Sequence, residues 1–186
     1  MLLSKKREHL IDVALRLFCS EGFHATGIDR ILSEAKVAKN TLYKHFRSKD
    51  ELILAALRRG DETFRNDLMQ YVEKKHKNPI QRILGIFDFY YDWINDGNFA
   101  GCTFNNVAAE YSNANDPINK TAHEHKQLMV GYVQKNLDLA NILDKDLAVQ
   151  ISVLLEGSIT LAYVMGNKEI TCSAKKVAKL LLEPNI

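Results

Sequence analysis

The sequence predicts an all-α fold in which nine helices form one subunit of two parts. Apolar residues recur at helical spacing along most of the 186-residue chain, and capping residues, Gly and Pro interrupt that pattern at intervals. Apolar residues make up 46% of the chain, which is enough for a substantial core. No segment is a convincing β-strand, although residues 168–172 are ambiguous and compatible with an extended conformation.

The first two helices are predicted from their boundary residues. Apolar side chains at helical spacing run from Lys5 to Gly22, and Gly is a frequent C-terminal stop. Thr26 and Asp29 then have the spacing of a capping-box variant. These residues predict a second helix from residue 28 to residue 35.

A short polar helix is predicted next, before a fourth helix that opens with the capping box Ser48-x-x-Glu51. Its inward side would carry Val37, Leu42 and Phe46. Its outward side would carry hydrogen-bonding side chains, namely Lys39, Asn40, Thr41, Tyr43, Lys44 and His45. A helix this short must pack on other helices and present its polar face outward. The arrangement is a helix-turn-helix, and such a polar face fits a DNA major groove.

Helical signals continue to the end of the chain. The fourth helix is predicted from Ser48 to about residue 76, and Pro79, Asp116 and Asp144 mark the starts of later helices. The later helices are predicted at about 79–95, 103–113, 117–140, 145–166 and 173–183. We expect residues 1–47 to form the helix-turn-helix domain and residues 48–186 to form a larger helical domain. No linker separates the two parts, because the fourth helix would run directly from the first into the second.

The basic charge is concentrated in the part that carries the helix-turn-helix. Residues 1–50 contain ten Lys and Arg against six Asp and Glu, whereas the remaining residues contain fifteen against seventeen. Binding to DNA phosphates requires an excess of positive charge at this place.

Other features narrow the class of protein. Three cysteines are too few, and odd in number, for a disulfide framework, and neither a signal-peptide pattern nor an apolar run of transmembrane length is present. We therefore expect a soluble cytoplasmic protein with reduced thiols. The histidines suggest no metal site, and we find no nucleophile–base constellation, P-loop or Rossmann glycine pattern. We expect neither a metal, nor a cofactor, nor enzymatic activity.

Residues 5–53 resemble the DNA-binding domain of TetR/AcrR-like transcriptional repressors. The most specific match is the run Thr41-Leu42-Tyr43-x-His45-Phe46-x-Ser48-Lys49-x-Glu51-Leu52, in which nine residues agree over a span of twelve positions. Earlier matches are Ala14-x-x-Leu17-Phe18, Glu21-Gly22-Phe23, Ala25-Thr26 and Ile28-x-x-Ile31. The run Gly101-Cys102-Thr103-Phe104-Asn105-Asn106 with Glu110 is similar to one subgroup of effector domains. The resemblance implies a homodimeric repressor with a small-molecule effector pocket in the larger domain.

The chain departs from the family pattern at four positions of the DNA-binding part. Lys36 and Asn40 stand where glycines are frequent, Ala38 replaces the usual capping Ser, and Gly27 replaces a frequent Ser. A non-glycine residue in a left-handed turn costs free energy, and losing a cap costs about 1 kcal/mol. These departures affect the fine DNA contacts rather than the fold.

The DNA contacts can be divided by chemistry. Thr41, Tyr43 and Lys49 are expected to hold phosphates, which fixes the register of the protein on the duplex. Lys can read guanine and Asn can read adenine. The candidates for base edges are Lys39, Asn40, Lys44 and His45.

An aromatic set in the fifth and sixth helices is the candidate effector pocket. It is richer in aromatic rings than a small core needs, and its hydroxyl, indole and amide groups need partners if they are buried. An apolar cavity with a few polar groups is typical of a small-molecule site, and plain core packing is the alternative for any single residue. The candidate residues are Phe87, Tyr90, Tyr91, Trp93, Phe104 and Asn105.

The last two helices carry apolar stripes that predict a dimer interface. A helix-turn-helix that reads a palindrome needs a two-fold partner, and the family resemblance also implies one. The alternative is burial inside the subunit. The predicted interface residues are Leu147, Ile151, Leu154, Leu161, Val177 and Leu181.

Two functions remain open from the sequence. The first is a ligand-responsive repressor that binds a pseudo-palindromic double-stranded DNA operator as a homodimer and is released by a small apolar or aromatic effector. The second is a dimeric redox or electrophile sensor with a secondary DNA role that acts through Cys102, which lies near a predicted helix start. A small buried packing residue is the alternative reading of this cysteine. Dependence of DNA release on the thiol would distinguish the two.

Overall fold

The computed structural model describes residues 5–97 and 99–183, and these residues form nine α-helices and no strand. The all-α prediction is confirmed. In chain order the helices are α1 (Lys5–Glu21), α2 (Ile28–Ala35), α3 (Lys39–His45), α4 (Lys49–Lys75), α5 (Pro79–Asn95), α6 (Thr103–Glu110), α7 (Pro117–Leu139), α8 (Lys145–Met165) and α9 (Ile170–Leu182).

Side-chain caps start four of these helices, and the sequence predicted three of these caps, at Ser48, Asp116 and Asp144. The Ser48 hydroxyl oxygen accepts a hydrogen bond from the Glu51 N–H at 3.1 Å. Asn78 Oδ1 accepts from the N–H two residues ahead at 2.8 Å, beside Pro79 at the first position of α5. Asp116 and Asp144 cap α7 and α8 in the same way, at 2.8 and 2.9 Å. Each cap pairs a backbone N–H that the first helical turn leaves without a partner.

The predicted cap of α2 is wrong. Thr26 is completely buried, and its hydroxyl donates to the Gly22 carbonyl oxygen at 2.6 Å. The residue at the N-cap position of α2 is Gly27, which makes no side-chain cap. Thr26 instead stabilises the turn after α1, because packing against that turn takes its side chain away from α2.

The extended conformation considered for residues 168–172 is also wrong. Helix α9 begins at Ile170, three residues before its predicted start. Thr171 is buried there, and its hydroxyl donates to the carbonyl oxygen three residues back at 3.1 Å. A β-branched polar residue is thus accommodated in the first turn of the helix.

The chain divides into two compact units. The first unit comprises the described residues up to Thr63 together with Thr103–His125, and the second comprises Phe64–Cys102 together with the described residues from Lys126 onward. Helices α4 and α7 contribute residues to both units. The functional boundary expected at residues 47 and 48 stays a prediction.

Each unit has an apolar core. In the first unit, the rings of Phe18 and Phe23 stack with centroids 5.1 Å apart, and Leu42 and Phe46 are buried beside the other inward residues. In the second unit, α9 packs against α5 and α8. The Lys175 ammonium lies 2.6 Å from Asp88 Oδ1, which joins α9 to α5 at the edge of this packing.

Candidate nucleic-acid interface and effector groove

Helix α1 and a left-handed turn position the short helix α3. The α2–α3 turn begins at Lys36, whose backbone has φ 54° and ψ 43°, the left-handed conformation usually taken by Gly. The Lys36 N–H bonds to the Ser33 carbonyl oxygen at 3.3 Å. His9 of α1 places Nε2 3.1 Å from the Ala35 carbonyl oxygen, so α1 also satisfies the end of α2. The turn therefore forms although the sequence has no glycine there.

Helix α3 has one buried side and one polar side, as predicted. Leu42 is completely buried, and the Phe46 ring just after the helix lies 5.1 Å from the Arg7 guanidinium carbon. Tyr43 on the opposite side is 48% exposed. The other predicted DNA-binding residues of α3 are exposed or half-buried, namely Lys39, Asn40, Thr41, Lys44 and His45. These side chains form one polar surface over seven helical residues, which suits insertion into a groove.

Two of the candidate lysines have protein partners. The Lys49 ammonium donates to the His24 carbonyl oxygen at 3.2 Å, and that of Lys39 lies 3.7 Å from Asp29 Oδ1. The second pair is well exposed, and such pairs contribute about 0–1 kcal/mol. Lys39 is therefore available to a DNA base or phosphate at little cost, whereas Lys49 also links α4 to the turn after α1.

Exposed ion pairs connect α1 with α2. Glu34 accepts from Arg16 at 2.7 Å and from Arg30 at 2.9 Å, and Arg30 also donates to Glu21 at 2.9 Å. The hydrogen bond with Glu21 is the largest cause that raises the pKa of Arg30. The hydrogen bond from Arg16 is the largest cause that lowers the pKa of Glu34. The charges orient the two helices on a surface that water reaches freely.

Glu110, the last residue of α6, binds the turn after α1. Its Oε1 accepts from the Phe23 N–H at 2.9 Å, and its Oε2 accepts from the His24 N–H at 2.6 Å. The His24 ring lies 2.9 Å from Oε2 through Nδ1 and stacks on Tyr111 with centroids 4.6 Å apart. We call this arrangement the Glu110 clamp. It fastens α6 to the helix-turn-helix within the first unit.

The protonation of Glu110 follows from the clamp. Partial burial favours the neutral acid, but the hydrogen bonds from the Phe23 and His24 N–H groups outweigh it, so the pKa of Glu110 is lowered. The same carboxylate also limits which residue can occupy position 22. Gly22 has φ +90°, and a Cβ there would lie 3.3 Å from Glu110 Oε1. The turn therefore requires glycine both for its backbone conformation and for the space beside it.

A largely apolar groove of about 740 Å³ lies in the second unit. Helices α7 and α8 form its walls, with Met129, Val130, Val149, Val153, Leu155 and Leu161 among the lining side chains. Tyr90 of α5 also lines it. Its polar wall is an ion pair between the Lys126 ammonium and Glu156 Oε2 at 2.6 Å, and Lys126 also donates to Cys102 Sγ at 3.3 Å. A volume of this size suits a drug-sized ligand.

Comparisons with known proteins point to one family. The profile of "bacterial regulatory proteins, tetR family" matches residues 10–56, the segment that contains most of α1, all of α2 and α3, and the start of α4. The HTH-type transcriptional activator FasR of Mycolicibacterium smegmatis is 28% identical over 180 residues, which covers 86% of this chain and 82% of FasR. SCO4454, a TetR-family transcriptional regulator from Streptomyces coelicolor, is 28% identical with a TM-score of 0.89, over 97% of this chain and 90% of its own. Residues 10–56 belong to the TetR family.

A further solved structure extends the agreement in fold. The reduced form of NemR from Escherichia coli has a TM-score of 0.85 at 21% identity, over 94% of this chain and 95% of NemR. The chain is thus a DNA-binding transcription regulator with a helix-turn-helix, as TetR-family members are. The family match confirms the resemblance seen in the sequence.

The structure distributes the six predicted effector residues over different places. Phe87 is buried and Tyr90 lines the groove, while the Trp93 ring packs against the rings of Tyr90 and Phe99. The Tyr91 hydroxyl donates to Glu169 at 3.1 Å. The other two residues, Phe104 and Asn105, belong to the first unit.

Phe104 has a partner that the sequence did not suggest. Its ring stacks on that of the buried His125 with centroids 3.7 Å apart, and His125 Nδ1 lies 2.8 Å from Asp61 Oδ1. The effector role of these residues stays a prediction. Sequence reasoning missed Lys126, Met129 and Glu156 at the groove. Lys126 and Met129 lie on α7 and Glu156 lies on α8, and no motif in the sequence links the two helices.

The predicted dimer residues divide into three groups by their exposure in the protomer. Leu147 and Ile151 are buried within the protomer, so they have no exposed surface to offer a partner. Leu161 is 47% exposed and Val177 is 43% exposed. Leu154 and Leu181 are half-buried. Their role in a dimer stays a prediction, and the exposed stripe next to them contains residues that the sequence analysis did not select.

Proposed function

We propose that this TetR-family protein is a homodimeric repressor that binds a pseudo-palindromic operator and is released by a small apolar effector. The exposed polar surface of α3, held by its buried side on the helix-turn-helix, carries the proposal. Phosphate contacts from Tyr43, Thr41 and Lys49 would fix the register, and the other polar residues of α3 would read base edges.

The DNA contacts are tested by selecting binding sites from random duplexes and measuring affinity by fluorescence anisotropy. Tyr43→Ala should weaken binding to all sequences, because the loss of a phosphate contact carries no sequence information. Lys44→Ala should change the preference at one base pair by about 1–3 kcal/mol. Lys74→Ala removes an exposed positive charge of the second unit and should change neither the affinity for DNA nor the base-pair preference. A selection that enriches no sequence contradicts the proposal.

The direction of regulation needs a separate measurement. FasR is named an activator, whereas NemR is named a repressor. We favour repression because an operator-bound dimer that is released by a ligand acts most simply by blocking transcription. Transcription from a promoter that contains the selected operator should fall when the protein is added, and a rise would identify an activator.

An exposed apolar stripe supports the dimer. Helix α8 is long and apolar enough between Asp146 and Met165 to cross a membrane by composition, yet only 39% of that stretch is buried inside the protomer. Gly157 has open space around its Cα, which allows a neighbouring helix to approach closely. The exposed apolar residues of α8 and α9 include Val149, Val153, Leu161, Val164, Val177 and Leu180. A second copy of the chain would bury this surface.

The dimer is tested by Val153→Glu. Val153 is 64% exposed in the protomer, so glutamate is compatible with the fold but would place a charge in an apolar interface. Sedimentation velocity should show a folded monomer for this variant and a dimer for the wild-type protein. Leu128→Glu changes an exposed leucine of α7 and should leave the dimer intact. A wild-type protein that sediments as a monomer at micromolar concentration contradicts the proposal.

Release by an effector requires that ligand binding and operator binding are coupled. A ligand shifts the protein only if it binds the conformation without DNA more tightly, and couplings of about 1–3 kcal/mol are typical. The coupling is reciprocal, so operator DNA must weaken ligand binding by the same factor. Equal ligand affinity with and without operator contradicts this mechanism.

A thiol sensor is the second candidate. The observation in its favour is the buried Cys102, whose sulfur accepts a hydrogen bond from the Lys126 ammonium at 3.3 Å. Treatment with an oxidant or electrophile should then abolish DNA binding in the wild-type protein and leave Cys102→Ser unaffected. If both proteins respond equally, the thiol is a packing group.

A further inference from the structure

The Tyr90 hydroxyl is an unused hydrogen-bonding group at the groove between α7 and α8. Tyr90 is only 2% exposed, and its ring packs against those of Phe64 and Trp93, each with centroids 5.9 Å apart. No described residue forms a hydrogen bond with its hydroxyl. The one completely enclosed side-chain polar atom without a partner in the described chain is Asn136 Oδ1. The Tyr90 oxygen is therefore accessible, and the groove is the space that Tyr90 lines.

Two hydrogen-bond donors of the groove have no partner among the described residues, namely the Tyr90 hydroxyl and the third N–H of the Lys126 ammonium. The Lys126 ammonium has three N–H donors, and two of them have partners in Glu156 and Cys102. Burial raises the pKa of the Tyr90 hydroxyl well above its usual value, with the Glu156 charge and Cys102 adding to the effect. The phenol is neutral and able to donate at any physiological pH. Two donors without partners on apolar walls call for a ligand with a hydrogen-bond acceptor.

The charge balance of the groove favours a neutral ligand. Lys126 and Glu156 already neutralise each other at 2.6 Å, and both side chains are less than one-third exposed. A ligand carboxylate would add a second negative charge beside Glu156, and a ligand cation would compete with Lys126 for the same carboxylate. Either charge would have to leave water without a partner of its own, which is unfavourable in an apolar site.

We propose that this groove is the effector site and that it binds a neutral, largely apolar molecule with one carbonyl-type acceptor, held by Tyr90 and Lys126. This inference rests on the proposed function, because it names the ligand class of the effector. Val153, Gly157 and Leu161 line the outer part of the groove and also lie on the stripe assigned to the dimer. A partner protomer on that stripe would close the site over the ligand.

The test uses isothermal titration calorimetry on the full-length protein with four probes that share one ring system. The probes are 2-acetylnaphthalene, 2-naphthoate, 2-naphthylmethylamine and 2-ethylnaphthalene. We expect the ketone to bind most tightly, about three- to tenfold better than the hydrocarbon of similar shape, as one neutral hydrogen bond predicts. Tighter binding of the carboxylate or the amine overturns the ligand class. Binding of none of the four shows that another occupant, such as the partner's side chains, fills the groove, and overturns the proposal.

Tyr90→Phe identifies the donor. The variant should reduce the advantage of the ketone over 2-ethylnaphthalene, because only the Lys126 donor remains, while binding of the hydrocarbon stays unchanged. Tyr71→Phe is the matched control, because its hydroxyl donates to Asp92 at 2.7 Å and Tyr71 does not line the groove. Circular dichroism establishes that both variants are folded. An undiminished ketone advantage in Tyr90→Phe overturns the proposal.

Operator binding, measured separately, distinguishes this inference from the proposed function. Ketone binding that depends on Tyr90 but leaves operator affinity unchanged at saturation supports the site and contradicts its role as the effector site. Release of DNA by the ketone with equal potency in wild-type protein and Tyr90→Phe supports the regulator and overturns the site.

Discussion

Removal of the Glu110 carboxylate tests the clamp between α6 and the helix-turn-helix. In Glu110→Ala, the N–H groups of Phe23 and His24 lose acceptors at 2.9 and 2.6 Å. Hydrogen bonds to a charged group contribute about 1.5–3 kcal/mol each. The Glu110 side chain is 26% exposed and water can reach the freed donors, so we expect a total loss of about 2 kcal/mol rather than the full sum.

The pH dependence of this effect has a definite sign. The pKa of Glu110 is lowered in the folded protein, so the carboxylate stabilises the fold fully above the unfolded-state pKa of about 4.3. The stabilisation is lost as the pH falls from there through the lower folded-state pKa. The difference in unfolding free energy between wild-type protein and Glu110→Ala should therefore be constant near neutral pH and shrink in acid.

Two measurements check the clamp against a matched control. Urea unfolding should show the loss of stability, and hydrogen exchange should show faster exchange at the Phe23 and His24 amides in particular. Glu124→Ala removes an exposed carboxylate from the same unit and should change neither quantity. If Glu110→Ala is no less stable than Glu124→Ala and the two amides exchange as before, the clamp contributes nothing and the reasoning is refuted.

Three further substitutions test the backbone and the caps by urea unfolding in the absence of DNA. Lys36→Gly should stabilise the protein by about 0.5–1 kcal/mol, because Lys36 holds φ 54° and glycine adopts that conformation without strain; a loss of stability would contradict this. Gly22→Ala should destabilise it by about 2 kcal/mol, since φ is +90° and the new Cβ would lie 3.3 Å from the Glu110 carboxylate; an unchanged midpoint would show that the turn adapts. Asn78→Ala should cost about 1 kcal/mol through the lost cap of α5, and a cost near zero would mean that water replaces it.

Local signals predicted the helices with small errors. Asn78, Asp116 and Asp144 cap the N–H groups two residues ahead of them, so their effect depends only on neighbouring residues. Thr26 was predicted wrongly because its environment is tertiary. The side chain is completely buried and bonds backward to Gly22, which a spacing rule cannot detect.

The division of α3 into a buried and a polar side was also predictable. A seven-residue helix has few ways to cover Leu42 and Phe46, so its remaining residues must face outward. The candidate effector residues could not be assigned in this way. On α5, Phe87 is buried and Tyr90 lines the groove, and the groove walls come from the distant helices α7 and α8.

The sequence by itself determined the all-α class, most of the helix boundaries and the family resemblance, because helical period, caps and the Thr41–Leu52 motif act over a few residues. Tertiary structure decided the relations between distant residues. It paired Glu110 with a turn 87 residues earlier and placed Lys126 beside Glu156. It also divided the apolar residues of α8, where Ile151 is buried and Val153 is exposed. The hydrophobicity of a side chain favours its burial. Only the packing of the helices decides against which surface the side chain is buried.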